Sequence, residues 1–393
     1  NDGDDLVETS ACNFYQNENF PFVERYSHKT HITVLMILET MKDLNRSTRS
    51  IAEQFHLSDT EVHDIFTAYV DLRRLSLPEY LSVDEVYLNI NSKSRYALVL
   101  MDFVTGEIID ILHNRCSSTA ENYFLSIPSE ERRRVKVVIS DAYKQYMDYP
   151  ERFFPNAEPI LDSFHLSKWL TAKINSYIQN VYKKYRDKDL ERLKEKNQQW
   201  NLDNKSIQWS KETILLRDYR WILLKNRDHI HYDTKLHYNS KFKMNIDTYR
   251  LESMFLALDP RFKEIRDLKE EYIQFNNSEY ENSDEIEHEL ERLIKKYRAS
   301  DIAMFRDFAA LLNRYRDKII PSFTKLEVVR ANKNGIFSRL SNGPMESFNR
   351  KPKDYKRNSR GSSNFDYTRN RILWATRKNP SILGKPKSNE EIH

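Results

Sequence analysis

Glycine is nearly absent from this chain, and that scarcity limits what it can fold into. Only 6 of 393 residues are glycine: Gly3, Gly106, Gly335, Gly343, Gly361 and Gly384. Roughly 7% is ordinary for a globular protein. Glycine-rich phosphate loops need the residue wherever the backbone closely approaches a phosphate or takes a positive φ. Neither a G-x-G-x-x-G turn nor a Walker-type loop can be written from these six positions, so a dinucleotide or P-loop nucleotide enzyme is excluded. A glycine-punctuated β-sandwich is disfavoured on the same ground. A mostly helical or mixed α/β protein is left, and the length predicts two or three domains.

Hydrophobic residues make up 39% of the chain and charged residues 31%, enough for a sizeable core and too apolar for a disordered chain. No run of 18 apolar residues and no signal peptide is present, so a soluble, cytoplasmic protein is expected. Two cysteines, Cys12 and Cys116, make neither a disulfide framework nor a four-cysteine zinc site. The chain opens on Asn1 rather than Met, as expected of a fragment or a processed form.

Charge is unevenly spread. Residues 321–393 hold 16 Lys and Arg against 6 Asp and Glu, a net of +10, which leaves −6 for the rest of a chain whose total is +4. A basic C-terminal segment fits a polyanionic partner, because cations that displace phosphate counterions gain affinity. A solvated basic tail fits the charge equally well.

Residues 1–20 are acidic and polar and are expected to be poorly ordered. From His31 to Val70 the pattern is helical, with Ile32, Leu35, Met36 and Leu38 opening an amphipathic segment. Ser47 is placed to cap a helix carrying Ile51, Ala52 and Phe55, and Ser58 with Glu61 spells a capping box before Val62, Ile65 and Phe66. Two short helices joined this way predict a helix-turn-helix, with an ordinary helical hairpin as the alternative. Asp59, Thr60 and Glu61, in the first turn of the reading helix, would repel phosphates.

Beyond Pro78 the texture turns to strands. Residues 81–90, 95–103 and 107–113 predict a three-stranded antiparallel meander with Thr105-Gly106 in its second turn. A helix over 118–126 follows, then the apolar strand 135–140, a short helix, and a fifth strand over 157–162. This is the ribonuclease H-like order. From Phe164 to about Phe323 the pattern is helical, with no further convincing strand.

Among 59 acidic residues, context selects three. Asp84 sits inside the first strand among Val83, Val86 and Leu88, where a charge is costly unless it binds something. Asp141 ends the buried strand, where open sheets place their ligands. Glu346 lies in SNGPMESFNR (341–350), where Ser341 or Asn342 can cap a helix and Pro344 is tolerated in its first turn. On that helix Met345, Phe348, Pro352 and Tyr355 share an apolar side, and Glu346, Arg350, Lys353 and Arg357 an adjacent one. Pro352 is expected to kink it. Two strand carboxylates and one helix carboxylate have the chemistry to bind two Mg²⁺ ions for phosphodiester cleavage. The alternative is a salt-bridged Asp84, a helix-capping Asp141 and a surface Glu346. Asp102 is the best fourth carboxylate.

Eight stretches, in order, resemble the ISL-three-type insertion-sequence transposases of the DDE class, across roughly residues 20–391. They are VDEVYL (83–88), YALVLMD (96–102) with Thr105-Gly106, Arg115, SDAYKQY (140–146), FFPNAEPILDSFH (153–165), SNGPMESFNR (341–350), KDYKRNSRG (353–361) and NFDYTRNRILWATR (364–377). The resemblance implies a ribonuclease H-like catalytic domain interrupted by a large α-helical insertion and preceded by a helix-turn-helix. The implied division is a tail over 1–30, the helix-turn-helix over 31–76, the catalytic domain over 78–166 and 331–393, and the insertion over 167–330. It also implies Asp84, Asp141 and Glu346 as catalytic acids holding two Mg²⁺ or Mn²⁺ ions. Asp162, His165 and Asn342 are implied as accessory residues. Arg350, Lys353, Lys356, Arg357, Arg360 and Arg369 are expected to contact DNA, meaning transposon terminal inverted repeats and target DNA. A homodimer on DNA, nucleoid-associated in a bacterium, follows from that function. The family usually opens with a four-cysteine zinc element, of which only Cys12 could be a remnant, so zinc is not expected. A transposase-derived DNA-binding protein without catalysis, or another ribonuclease H-like nuclease, is the alternative.

His229, His231 and His237 have metal-like spacing but no carboxylate framing, and Cys116 is expected to be a packed thiol.

Overall fold

Ser47 and Ser58 each open a helix by accepting a backbone N–H, from Ser50 at 3.1 Å and from Glu61 at 3.2 Å. In the second case Glu61 reaches back to the Ser58 N–H at 2.8 Å, completing the capping box. A computed structural model of the chain describes residues 29–90, 95–196, 209–330, 333–359 and 364–392. Cys12, Arg360 and Gly361 lie outside them. Two compact units result, one of residues up to Ile160 together with those from Lys325 onward, the other Leu161–Thr324.

The first unit begins with α1 (His31–Thr40), α2 (Thr48–Phe55) and α3 (Asp59–Tyr69), then β1 (Tyr80–Tyr87), β2 (Tyr96–Asp102) and β3 (Ile108–Leu112). Next come α4 (Ser117–Ser126), α5 (Ser129–Arg133), β4 (Val137–Ser140), α6 (Lys144–Met147), α7 (Tyr149–Phe153) and β5 (Glu158–Leu161). All five expected strands form. They make one sheet in the order β3-β2-β1-β4-β5, with β1 antiparallel to β2 and parallel to β4. Gly106 takes φ +71° in the β2–β3 turn, where Asp102 accepts from Val104 N at 2.9 Å and Thr105 Oγ1 at 2.7 Å. Asp102 therefore serves the turn.

The second unit holds α8 (Ser163–Lys196), α9 (Lys211–Asp218), α10 (Trp221–Leu224), β6 (His237–Asn239), β7 (Met244–Ile246) and α11 (Thr248–Leu256). It continues with α12 (Phe262–Asn277), α13 (Ser283–Arg298), α14 (Ala303–Arg314) and α15 (Arg316–Ile319). The β6–β7 hairpin corrects the expectation that this stretch has no strand. Strands of three residues, HYN and MNI, are too short for an alternating pattern to stand out.

The chain then completes the first unit with β8 (Lys325–Arg330), β9 (Lys333–Arg339), α16 (Gly343–Asn358), α17 (Phe365–Thr376) and α18 (Asn389–Ile392). The β8–β9 hairpin is an addition to the expected strands. Pro352 does not end α16, which runs on to Asn358 with Pro352 on its buried side beside Met345, Phe348 and Tyr355.

One face of the sheet, with Val86, Val99 and Met101, shares a continuous core with α1–α3, α16 and α17. The other, with Leu81, Val83 and Leu98, packs on Phe124, Tyr146 and Phe153. On α1 the buried residues are Val34, Ile37 and Leu38, while Ile32, Leu35 and Met36 are exposed, so the apolar face is rotated from the one expected.

Candidate active site

Alternation along β1 puts Ser82, Asp84 and Val86 on the face that α16 covers, and Leu81, Val83 and Glu85 on the other. Two asparagines hold the start of α16 to that strand. Asn342 Nδ2 donates to Val83 O at 3.1 Å, and Asn349 Nδ2 donates to Asp84 Oδ2 at 2.8 Å and to Glu85 O at 3.4 Å. Asn342, Glu346 and Asn349 recur at i, i+4 and i+7, which is one stripe of a helix. Glu346 is thus carried, half-buried, between two residues anchored on β1, in the first turn where the helix dipole favours a carboxylate. Asp84 is 9% exposed.

The β1–β4 register pairs Ser82 with Ile139. Asp84 stands two residues beyond Ser82, in the middle of β1, and Asp141 two residues beyond Ile139, immediately after the end of β4. Asp141 Oδ1 accepts from Tyr143 N at 3.0 Å, which fixes the chain leaving β4.

Glu85, which no sequence pattern marked above its neighbours, anchors the opposite face. Its carboxylate accepts from Arg115 Nη1 at 2.6 Å and from Tyr146 Oη at 2.7 Å. Gln145 Nε2 donates to Arg115 O at 3.0 Å and to Tyr149 Oη at 2.9 Å. The segment bearing Asp141 is tied to β1 through these bonds. Burial and the neighbouring Glu85 push the Tyr146 phenol far up, keeping it a neutral donor. The sequence signal for this network is the pair of adjacent carboxylates at 84 and 85, one for each face of a strand.

Among the described residues, no three His, Cys, Asp or Glu side chains gather closely enough to hold a metal ion. Beside Asp84, however, the acceptors Ser82 Oγ, Asn342 Oδ1 and Asn349 Oδ1 are buried without a hydrogen-bond partner among the described residues.

The expected DNA contacts divide. Arg350, Lys353 and Arg357 are exposed along α16, and Lys356 is half-buried, its ammonium pKa lowered by that burial. A cleft of about 960 Å³ separates the end of α16, at Arg357 and Ser359, from the start of α2, at Ser47, Thr48 and Arg49. Arg369 departs from this set. It pairs with buried Asp110 at 2.5 Å and donates to Leu72 O at 2.8 Å, so its charge serves the fold. The second helix of the helix-turn-helix, α3, is also engaged within the protein. His63 stacks on Tyr367 with ring centroids 4.4 Å apart, and Leu383 N and Lys387 N donate to Tyr69 O and Ala68 O.

Asp162 and His165 lie in the second unit and meet each other, Nδ1 to Oδ2, at 3.1 Å, with Asp162 fully buried. Asp233 pairs with exposed His237 Nε2 at 2.9 Å, an ordinary surface contact. Cys116 is exposed at the start of α4, which corrects the expected packed thiol. Among the described residues no helix is long and apolar enough to cross a membrane.

Comparison with known proteins agrees with this architecture. The chain is 27% identical over 152 residues to the transposase for insertion sequence element IS1001 of Bordetella parapertussis. That stretch covers 39% of this chain and 32% of the relative, so the match spans about a third of the relative's length. A profile for the helix-turn-helix domain of transposase family ISL3 matches residues 18–70. The transposase profile of the ISL3 DDE domain matches residues 81–372, most of the chain. This mixed α/β chain, with its N-terminal helix-turn-helix and its sheet-containing DDE domain, belongs to the ISL3 family of transposases.

Proposed function

We propose that the chain catalyses metal-dependent cleavage and strand transfer at insertion-sequence ends, with Asp84, Asp141 and Glu346 as its DDE acids. The observation that carries this reading is the anchoring of the Glu346 helix on the Asp84 strand by Asn342 and Asn349. The sheet order, with β1 between β2 and β4, supports a ribonuclease H-like fold in which Leu161–Thr324 is a helical insertion.

The donor chemistry suits Mg²⁺ or Mn²⁺, which take few protein carboxylates and keep much of their water. The orphaned acceptors Ser82 Oγ, Asn342 Oδ1 and Asn349 Oδ1 suit it too, since a buried acceptor costs free energy until a donor such as coordinated water reaches it. Asp84, Asp141 and Glu346 would hold the ions. Two bound cations would supply charge neutralisation at the phosphodiester and easier deprotonation of water. The protein's own work is positioning. Asn349 orients Asp84, the Tyr143 N–H holds Asp141, and exposed Arg350, Lys353 and Arg357 bind DNA phosphates. Water hydrolyses the bond to the 3′ oxygen at each terminal inverted repeat, leaving a 3′-OH and a 5′-phosphate. The 3′-OH then attacks a target phosphodiester. Cutting two ends calls for two copies, hence a homodimer on DNA.

Asp141→Ala and Glu346→Gln should each abolish cleavage of a duplex bearing the element end while leaving end binding intact. Cleavage at the wild-type rate in either variant would remove the assignment. Binding without divalent-ion-dependent cleavage in the unaltered protein would favour a DNA-binding derivative.

A further inference from the structure

We propose that Tyr143, backed by Arg115, is a stacking platform for an unpaired nucleobase beside the phosphate that Asp141 addresses. This rests on the reading of Asp141 as a catalytic acid.

Five side chains form a continuous row. Tyr87 meets Tyr96 edge-on at 5.4 Å, and the Arg115 guanidinium lies over the Tyr96 ring at 4.6 Å and the Tyr143 ring at 5.4 Å. Tyr143 in turn meets Tyr146 edge-on at 5.0 Å. Glu85 pins Arg115 at 2.6 Å, so the cation cannot swing away from the rings. Tyr146 is buried, whereas Tyr143, two residues from Asp141, is 43% exposed and leaves ring surface open to a ligand. Its backbone N–H is the group bonded to Asp141 Oδ1, which keeps the residue's main chain beside that acid. Lys144, the next residue, is an exposed cation at the start of α6.

This combination selects the ligand. A guanidinium-backed ring offers a flat π-face of low conformational entropy, and the neighbouring ammonium offers a phosphate contact. A base inside a duplex has both faces covered by its neighbours, so only a base released from the stack can use the ring. Such bases arise at a cut or distorted DNA end. Stacking uses the π-face that every base has, so the platform should tolerate any base.

The test uses the full chain without divalent metal and two DNA probes carrying the element end, one fully paired and one with three unpaired nucleotides flanking the scissile phosphate. A 2-aminopurine in the unpaired stretch reports stacking. The unaltered protein and Tyr143→Phe should bind the forked probe about 5- to 150-fold more tightly than the paired one, the range of one stacked base, and quench the reporter. Tyr143→Ala should lose both effects and bind the paired probe as before. Asp141→Asn should keep the fork preference, because stacking needs the ring and not the acid. A fork preference that persists in Tyr143→Ala overturns the proposal while leaving the active-site reading intact. Failure of the unaltered protein to bind either probe overturns both.

Discussion

Asn349 Nδ2 donates to Asp84 Oδ2 at 2.8 Å, and Asn349 stands three residues after Glu346 on the same helix. One buried hydrogen bond therefore orients Asp84 and fixes against β1 the helix that carries Glu346. Replacing Asn349 by Ala should lower cleavage by about 10- to 100-fold, the usual cost of removing a group that orients a metal ligand. Much of that activity should return at raised Mn²⁺. Measuring rate against metal concentration checks this, since a purely structural defect would lower the maximum rate without moving the metal dependence.

The exposed cations of α16 and the buried Arg369 should behave differently. Alanine at Arg350, Lys353 or Arg357 should flatten the plot of log affinity against log salt by about 0.9 for each phosphate no longer neutralised. Arg369→Ala leaves Asp110, 5% exposed, without its charge partner, and should cost about 3–5 kcal/mol of stability. Equal salt slopes for Arg357→Ala and the unaltered protein would remove Arg357 from the interface.

Acid should loosen the helix-turn-helix through Glu61. The Ser58 N–H, followed by Lys29 and the Ser58 hydroxyl, holds the Glu61 carboxyl at about 2, below its ordinary 4.5. A group whose pKa is depressed by folding stabilises the fold fully above its unfolded value and loses that contribution as pH falls towards its folded value. The stability gap between the unaltered protein and Glu61→Gln should be constant above about pH 5 and close towards pH 2. Thermal melts across that range measure it. A gap that widens on acidification would contradict the cap.

Much of the architecture was legible because strands and caps are local. Thr105 and Gly106 spelled their turn, and Ser58 with Glu61 their helix start, whereas Asp102, read as a fourth carboxylate, serves that turn. The apolar side of α16 was readable from Met345, Phe348 and Tyr355. The rotation of α1 was not, because Ile32, Leu35 and Met36 are as apolar as the residues buried and packing against α2, α3 and α17 decides which face is covered. Nor could spacing show that Asn349 touches Asp84, 265 positions away, or that Arg369 would be taken by Asp110. A polar residue's partner across the fold leaves no periodic trace in sequence. For that reason Asp84, Asp141 and Glu346 could be proposed from the sequence, whereas the contact of Asn349 with Asp84 could not.

Trp374 makes the remaining prediction, which concerns how the helix-turn-helix unfolds. Its indole Nε1 donates to Leu38 O at 2.7 Å, and its ring is 5% exposed. The apolar side chains of α1–α3, among them Ile37, Ile51 and Phe66, share one core with Val86 and Val99 of the sheet and with Ile372 and Leu373 of α17. A three-helix segment this short buries too little of its own surface to be stable alone, so its apolar faces depend on the sheet and α17. The helix-turn-helix should then lose structure together with the sheet. Trp374→Ala should destabilise both by about 3–5 kcal/mol, the cost of truncating a large buried aromatic. Hydrogen exchange provides the check. Amides of Ile51 and Phe66 should match those of Val86 and Val99 in protection, and all four should fall together in the variant. If the α2 and α3 amides exchange freely while β1 and β2 stay protected, the helix-turn-helix opens independently and the shared core does not couple them.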